Sequence, residues 1–304
     1  GDTFESYLLS DVANVVGIAI ADIDGDGDLD FWAGGYFDSM KMFVNDGSGG
    51  FEDVSLQSGI ASIAVQPQKM DGVFGDLDGD GDLDLFVNMA ATQNEPPESR
   101  MNKLLLNNGD GTFEDVSHWM DDSLRQGLSW SSIWTDIDID GDLDLYVANA
   151  EQGFYGPSYL FQNNGITNDV WDFTDLSNEC FCTNNYNPMG VSAGDWNNDG
   201  FFDLFLTNTG ANQLLINEGT GTFVDVSFAV GHMSLPSQDH MTFGASWLDY
   251  NNDGFLDVFV ASGPLHQGVG PLELEEQPDI LLHNSGREFF NVASQLGIDK
   301  TGAG

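Results

Sequence analysis

Carboxylates crowded at alternate positions repel one another unless a cation sits between them. The stretch DIDGDGDLD, residues 22–30, has five aspartates in nine positions. The pattern returns as DLDGDGDLD at 76–84, DIDIDGDLD at 136–144, DWNNDGFFD at 195–203 and DYNNDGFLD at 249–257. The starts lie 54, 60, 59 and 54 residues apart. Every copy has Asp first, Asp or Asn third, Asp fifth, Gly sixth and Asp ninth, so the chain is an internal repeat.

Oxygens at positions 1, 3 and 5 of such a stretch can curl round one ion, because glycine at 6 permits a sharp bend. The carbonyl of position 7 can then join, and the carboxylate at 9 closes the shell. An all-oxygen set in forgiving geometry suits calcium; magnesium wants a tighter octahedron, and softer metals want His or Cys. The expected cofactor is therefore Ca2+, at about five sites. The expected side-chain ligands in the first three loops are Asp22, Asp24, Asp26 and Asp30, then Asp76, Asp78, Asp80 and Asp84, then Asp136, Asp138, Asp140 and Asp144. The fourth loop offers Asp195, Asn197, Asp199 and Asp203, and the fifth Asp249, Asn251, Asp253 and Asp257. The carbonyls come from Asp28, Asp82, Asp142, Phe201 and Phe255. Asparagine at position 3 removes one charge, which predicts weaker binding in the last two loops. Solvated acidic turns would have no reason to keep Gly27, Gly81, Gly141, Gly200 and Gly254 in register. An EF-hand is excluded: it needs Glu at position 12, where this chain has Ala33, Val87, Val147, Leu206 and Val260 inside apolar strands.

The elements that position these loops are short strands. In the second copy GVFGD leads into the loop and LDLFVNM leaves it, then NKLLLNN follows a variable insert and NGDG turns into TFEDVS. Asn-Gly and Asp-Gly supply the positive φ angles of hairpin turns. Third segments SMKMFVN, SYLFQNN, NQLLIN and DILLHN, and fourth segments GGFEDVS, DFTDLS, GTFVDVS and REFFNVAS, keep the same order in the other copies. Four antiparallel strands every fifty to sixty residues predict an all-β chain, a β-propeller with five complete four-stranded blades, each with its calcium loop between strands 1 and 2. The blades are expected at about 16–56, 70–118, 128–177, 188–228 and 241–293 of one domain spanning 1–304. No helical periodicity of useful length is visible. The Asp loops and NGDG-type turns share one constant face. The connections at 90–101, 149–158 and 262–278 share a variable one, where recognition is expected.

The loop followed by LDLFV and then LLLNNGDGTFEDVS resembles the FG-GAP/VCBS-type repeat of integrin α-subunit propellers and many secreted bacterial proteins. The resemblance covers about residues 16–292 and is to the wider calcium-loop class, since the name-giving segments are poorly kept. It implies calcium in each Asp loop and ligands met on the opposite face.

Closure with five blades is the simplest expectation, although the family more often closes with seven. The opening GDTFESYLLS resembles a fourth strand, so residues 1–15 are expected as an extra strand that closes this propeller, pairs with a neighbour, or belongs to a longer array. The chain starts at Gly1 without a signal-like segment, which reads as a mature or trimmed product.

Composition bounds the partners. Seven basic residues face fifty acidic ones, a formal charge of −43 that would repel nucleic acid and anionic membrane surfaces. No apolar run is long enough to insert into a bilayer. Hydrophobic content of 41% with 12% aromatics argues for a packed core rather than disorder. For Cys180 and Cys182 a strained local disulfide, free thiols and a bond to another chain are all open.

Evidence for chemistry on a substrate is thin. His118, His232, His240, His266 and His283 are scattered along the chain without metal-ligand spacing. His232 and His240 share a connection to the variable face and would be the first pair to test. No GxSxG elbow or phosphate-cradling loop is present. Trp130, Trp134, Trp196 and Trp247 read as packing between blades, while Phe154, Tyr155 and Tyr159 form either a sugar-stacking platform or a loop packed on itself. The expectation is a secreted, calcium-stabilised, non-catalytic adhesion or recognition module for an extracellular protein or carbohydrate. The alternatives are a structural subunit of an extracellular filament or surface assembly, self-associating through the N-terminal strand, and a glycan-processing enzyme on the same scaffold.

Overall fold

The computed structural model describes residues 15–35, 40–63, 69–90, 101–120, 127–150, 157–167, 170–180, 187–231, 241–263 and 277–298. Residues 1–14, the variable connections, Phe154, Tyr155, Cys182, His232, His240 and His266 lie outside them. The chain divides into two compact units, Gly1–Arg125 and Gln126–Gly304.

In the first unit β1 (Val15–Ala21), β2 (Asp30–Gly35), β3 (Lys41–Asn45) and β4 (Phe51–Asp53) form one sheet in sequence order. The next sheet is β5 (Lys69–Gly75), β6 (Asp84–Ala90), β7 (Lys103–Asn107) and β8 (Phe113–Asp115). The second unit has three such sheets. They are β9 (Ser129–Thr135), β10 (Asp144–Asn149), β11 (Tyr159–Thr167) and β12 (Val170–Asp175), then β13 (Pro188–Gly194), β14 (Asp203–Asn208), β15 (Gln213–Asn217) and β16 (Phe223–Asp225), then β17 (Thr242–Leu248), β18 (Asp257–Ser262), β19 (Ile280–Asn284) and β20 (Phe289–Asn291). Every pairing is antiparallel, so these are five blades of β-propeller type. Among the described residues the helical elements are a four-residue helix, Ala293–Leu296, and two 3-10 turns, Ile60–Ser62 and Ser117–Trp119.

The second strand of each blade explains the sequence pattern. DLFVNMA of β6 is buried throughout, as are DLYVAN of β10 and DLFLTN of β14, and around β14 apolar clusters lie on both faces of the blade. In the first unit Trp32, Met42, Leu85 and Leu105 belong to one core between the two sheets. In the second unit Tyr146, Leu160, Leu204 and Phe223 fill the space between the third and fourth blades, and Phe205, Leu214, Val258 and Phe289 that between the fourth and fifth. Trp196 and Trp247 pack against the latter cluster and Trp130 against Met189 and Met241, the packing role expected of them. Tyr159 stacks on Phe161 within β11, its ring centroid 5.5 Å away.

The fourth strands are three residues long in most blades, and the repeated DVS behind them completes the sheet. The Asp115 carboxylate accepts the main-chain N–H and hydroxyl of Ser117, and the Ser117 Oγ accepts the N–H of Leu104 at 3.0 Å. The same bond runs from Met42 to Ser55 (3.0 Å), from Leu160 to Ser177 (3.2 Å) and from Leu214 to Ser227 (2.9 Å). A side chain thus takes over where the main-chain ladder stops.

Candidate metal centres

Each Asp loop joins the first two strands of its blade and is organised by its own carboxylates. In the first loop Asp22 accepts the N–H of Gly25 at 2.9 Å and of Gly27 at 3.0 Å, one on each oxygen. Asp26 accepts the N–H of Asp28 at 2.9 Å. The equivalent bonds to positions 1 and 5 recur in the other loops. The sixth glycine has φ between 88° and 100° in all five loops, a region closed to side chains. Position 4 is also left-handed throughout: Gly25, Gly79, Ile139, Asn198 and Asn252 have φ from 58° to 75°.

The ninth aspartate is buried and bound on both oxygens. Asp30 Oδ2 accepts the N–H of Ile23 at 2.9 Å and its Oδ1 the N–H of Asn45 at 2.8 Å. Asp84, Asp144, Asp203 and Asp257 repeat this pair with Leu77 and Asn107, Ile137 and Asn163, Trp196 and Asn217, and Tyr250 and Asn284. Burial pushes the carboxyls of Asp84, Asp144 and Asp203 up from 3.8 to about 7.

Positions 1, 3 and 9 converge in the first three loops. Asp22, Asp24 and Asp30 bring one oxygen each within 4.8 Å of one another, as do Asp76, Asp78 and Asp84, and Asp136, Asp138 and Asp144. Burial, reinforced by neighbouring carboxylates, raises the pKa of Asp24, Asp78 and Asp138. In the third loop Gln162 donates to Asp138 Oδ2, while Asp138 Oδ1 is buried without a hydrogen-bond partner. A buried carboxylate oxygen with no donor, beside two further carboxylates, fits an oxygen-ligated cation.

The fourth and fifth loops differ at position 3. Asn197 Nδ2 donates to Asp199 Oδ2 at 2.7 Å and Asn251 Nδ2 to Asp253 Oδ2 at 2.8 Å, so an amide hydrogen supplies part of the compensation. Main-chain and Asn251 bonds hold the Asp253 carboxyl below its ordinary pKa. The fifth loop also faces an imidazole: His283 Nδ1 lies 3.0 Å from Asp257 Oδ1 and 3.4 Å from Asn251 Nδ2. Its counterparts one residue before the asparagine of the third strand are Val44, Leu106, Gln162 and Ile216. His118, by contrast, packs edge-on to Trp119.

In four loops, the third being the exception, position 7 turns its side chain onto the β3–β4-type turn. A Cβ on Gly47 or Gly109 would collide with the carboxylate of Asp28 or Asp82. One on Gly219 or Gly286 would collide with the aromatic ring of Phe201 or Phe255. Cys180 is buried and disulfide-bonded. Among the described residues no helix is long and apolar enough to cross a membrane.

Sequence reasoning missed the asparagine two residues before each turn glycine, which ends the third strand in four blades and lies inside β11 in the other. Asn45, Asn107, Asn163, Asn217 and Asn284 each accept the N–H of the glycine two residues on, at 2.8–3.1 Å. Three of them also reach the preceding blade: Asn107 Nδ2 donates to Ile23 O at 3.0 Å, Asn217 Nδ2 to Ile137 O at 2.7 Å and Asn284 Nδ2 to Trp196 O at 2.9 Å. The signal was available, since asparagine holds the same place in every copy.

Cartilage acidic protein 1 of Mus musculus is 24% identical over 262 residues, which are 80% of this chain and 39% of that protein. The Homo sapiens protein of the same name is 25% identical over 270 residues, 80% and 38% of the two chains. The chain thus spans about two fifths of the length of these curated relatives. Among solved structures, an Agrocybe aegerita lectin that recognises non-reducing terminal N-acetylglucosamine aligns with a TM-score of 0.48 at 17% identity, over 89% of this chain and 63% of that one. A V. cholerae biofilm matrix protein aligns with a TM-score of 0.43 at 15% identity, over 91% and 38%. The model of the FG-GAP-like repeat matches residues 22–87, 136–206 and 195–260, more than half of the sequence and all five Asp loops. With five blades, five loops and that match, the chain belongs to the FG-GAP-like repeat family.

Proposed function

We propose that this chain is a calcium-stabilised extracellular recognition module that acts without catalysis. The observation that carries the calcium reading is the three-carboxylate cluster at Asp136, Asp138 and Asp144, with its donor-less buried oxygen. Bound calcium would cancel the mutual repulsion of these groups. In the first three loops positions 1, 3 and 9 would hold the ion by their side chains, with positions 5 and 7 completing the shell through a carboxylate and a carbonyl. The fourth and fifth loops would bind more weakly through Asn197 and Asn251. Cytosolic calcium is too scarce for sites of extracellular strength, and the relatives take their name from cartilage; both favour an extracellular setting. The recognised partner would be protein or carbohydrate, met on the face of the variable connections.

Self-assembly is favoured as a second reading by an apolar row on the first blade. Ile18, Ile20 and Phe51 are 58%, 63% and 43% exposed, whereas Phe113, Phe223 and Phe289 at the position of Phe51 are buried.

Chelation is the direct test. Removing calcium with EDTA should lower the melting temperature by about 10 °C or more, restored by calcium and not by magnesium. An unchanged melting curve would end the calcium reading. A glycan array and light scattering, both in calcium, then separate carbohydrate recognition from self-assembly.

A further inference from the structure

The asparagines at the ends of the third strands join loops in different blades. In the first unit Asp30 Oδ2 accepts the N–H of Ile23 (2.9 Å), the Ile23 carbonyl accepts Asn107 Nδ2 (3.0 Å), and the Asn107 N–H goes to Asp84 Oδ1 (2.9 Å). Three hydrogen bonds therefore connect the ninth carboxylates of adjacent loops. In the second unit the path is twice as long. Asp144 Oδ2 takes Ile137 N–H (2.8 Å), Ile137 O takes Asn217 Nδ2 (2.7 Å) and Asp203 Oδ1 takes Asn217 N–H (2.9 Å). Asp203 Oδ2 then takes Trp196 N–H (2.8 Å), Trp196 O takes Asn284 Nδ2 (2.9 Å) and Asp257 Oδ1 takes Asn284 N–H (2.7 Å).

We propose that Asn107, Asn217 and Asn284 are positioning residues that tie the cation loop of one blade to that of the next, so that filling one loop tightens its neighbour. The inference rests on the loops being calcium sites. In the first three loops the ninth carboxylate belongs to the converging oxygens, and in all five it accepts the N–H of position 2. The carbonyl of that same residue is what the next blade's asparagine grips at Ile23, Ile137 and Trp196. The same asparagine main chain aims the ninth carboxylate of its own loop. Ordering either end therefore fixes the other, and any such coupling is reciprocal. Each asparagine is itself locked: its Oδ1 accepts a turn N–H, and Asn107 and Asn284 share their amide with the position-8 carbonyl of their own loop at 3.2 and 3.1 Å. The path is a row of hydrogen bonds with one geometry, buried except for the two partly buried ones at Trp196, and it has the physical continuity that coupling requires.

The test is a calcium titration by calorimetry on the whole chain, with a lesion in one loop. Asp195→Asn should remove one ion and weaken binding at the neighbouring third and fifth loops by about fivefold or more. In a background carrying Asn217→Ala and Asn284→Ala, the same lesion should leave the remaining affinities unchanged. If these alanines prevent folding by circular dichroism in saturating calcium, Asn217→Asp and Asn284→Asp keep the main-chain bond and the turn acceptor and replace the amide donor by a carboxylate, whose charge shifts the starting affinities but not the further change made by the lesion. A merely structural asparagine would shift all affinities together and leave the effect of the lesion intact, which overturns the proposal. Equal, independent constants in the parent chain also overturn it. No calcium uptake by any form would instead sink the calcium reading itself.

Discussion

Ile139 occupies position 4 of the third loop, where the first two loops have glycine and the last two asparagine. Its φ of 61° is sterically costly for a β-branched residue, and its side chain is 58% exposed, so packing offers nothing in return. Ile139→Asn should therefore stabilise the protein by about 1 kcal/mol in thermal or urea unfolding. The strain sits in the loop whose Asp138 also carries the donor-less buried oxygen. None of this was legible from the nine-residue motif. The recurring aspartates and the glycine at 6 announce an ion, but left-handed backbone at position 4 is written in three different residue types. Only the torsion angles show that they do one job.

At the scale of the strand, the apolar runs after each Asp loop identified the second strands because these are buried along most of their length, and the Asn-Gly and Asp-Gly turns marked the hairpins. What escaped was polar. DVS looks like the end of a strand, yet its serine hydroxyl receives an N–H from the start of the strand beside it. Ser117→Ala leaves the buried Leu104 N–H without an acceptor and should cost about 1–2 kcal/mol, read from the urea midpoint. The fifth blade has Ala293 at that place and starts its short helix there, with the Ala293 N–H donated to Asn291 Oδ1 at 3.0 Å. The asparagine two residues before each turn glycine escaped for the same reason. Periodicity shows that such residues recur, whereas their partners, 80 or more residues away in the case of Ile23, Ile137 and Trp196, come from the neighbouring blade.

At the scale of the whole chain, the acidity links stability to pH in opposite directions with and without metal. Asp84, Asp144 and Asp203 titrate near 7 in the folded protein because of burial, against 3.8 when free of it. The folded state therefore holds these protons more tightly than the unfolded state does. In metal-free protein their contribution is fully present below about pH 4 and is lost as pH rises through 7. A divalent cation competes for the same oxygens, so the calcium-induced gain in melting temperature should grow from pH 5 to pH 7.5. Scanning calorimetry across that range checks both signs. A flat metal-free curve would mean that the ninth carboxylates ionise as freely folded as unfolded. The pinning of those carboxylates by two main-chain N–H groups each has a kinetic consequence. The innermost arm of every loop is in place before any ion arrives, and an acidic surface draws cations toward it. Capture then waits on the ion shedding its water rather than on the protein rearranging, and its rate should fall as added salt screens the approach.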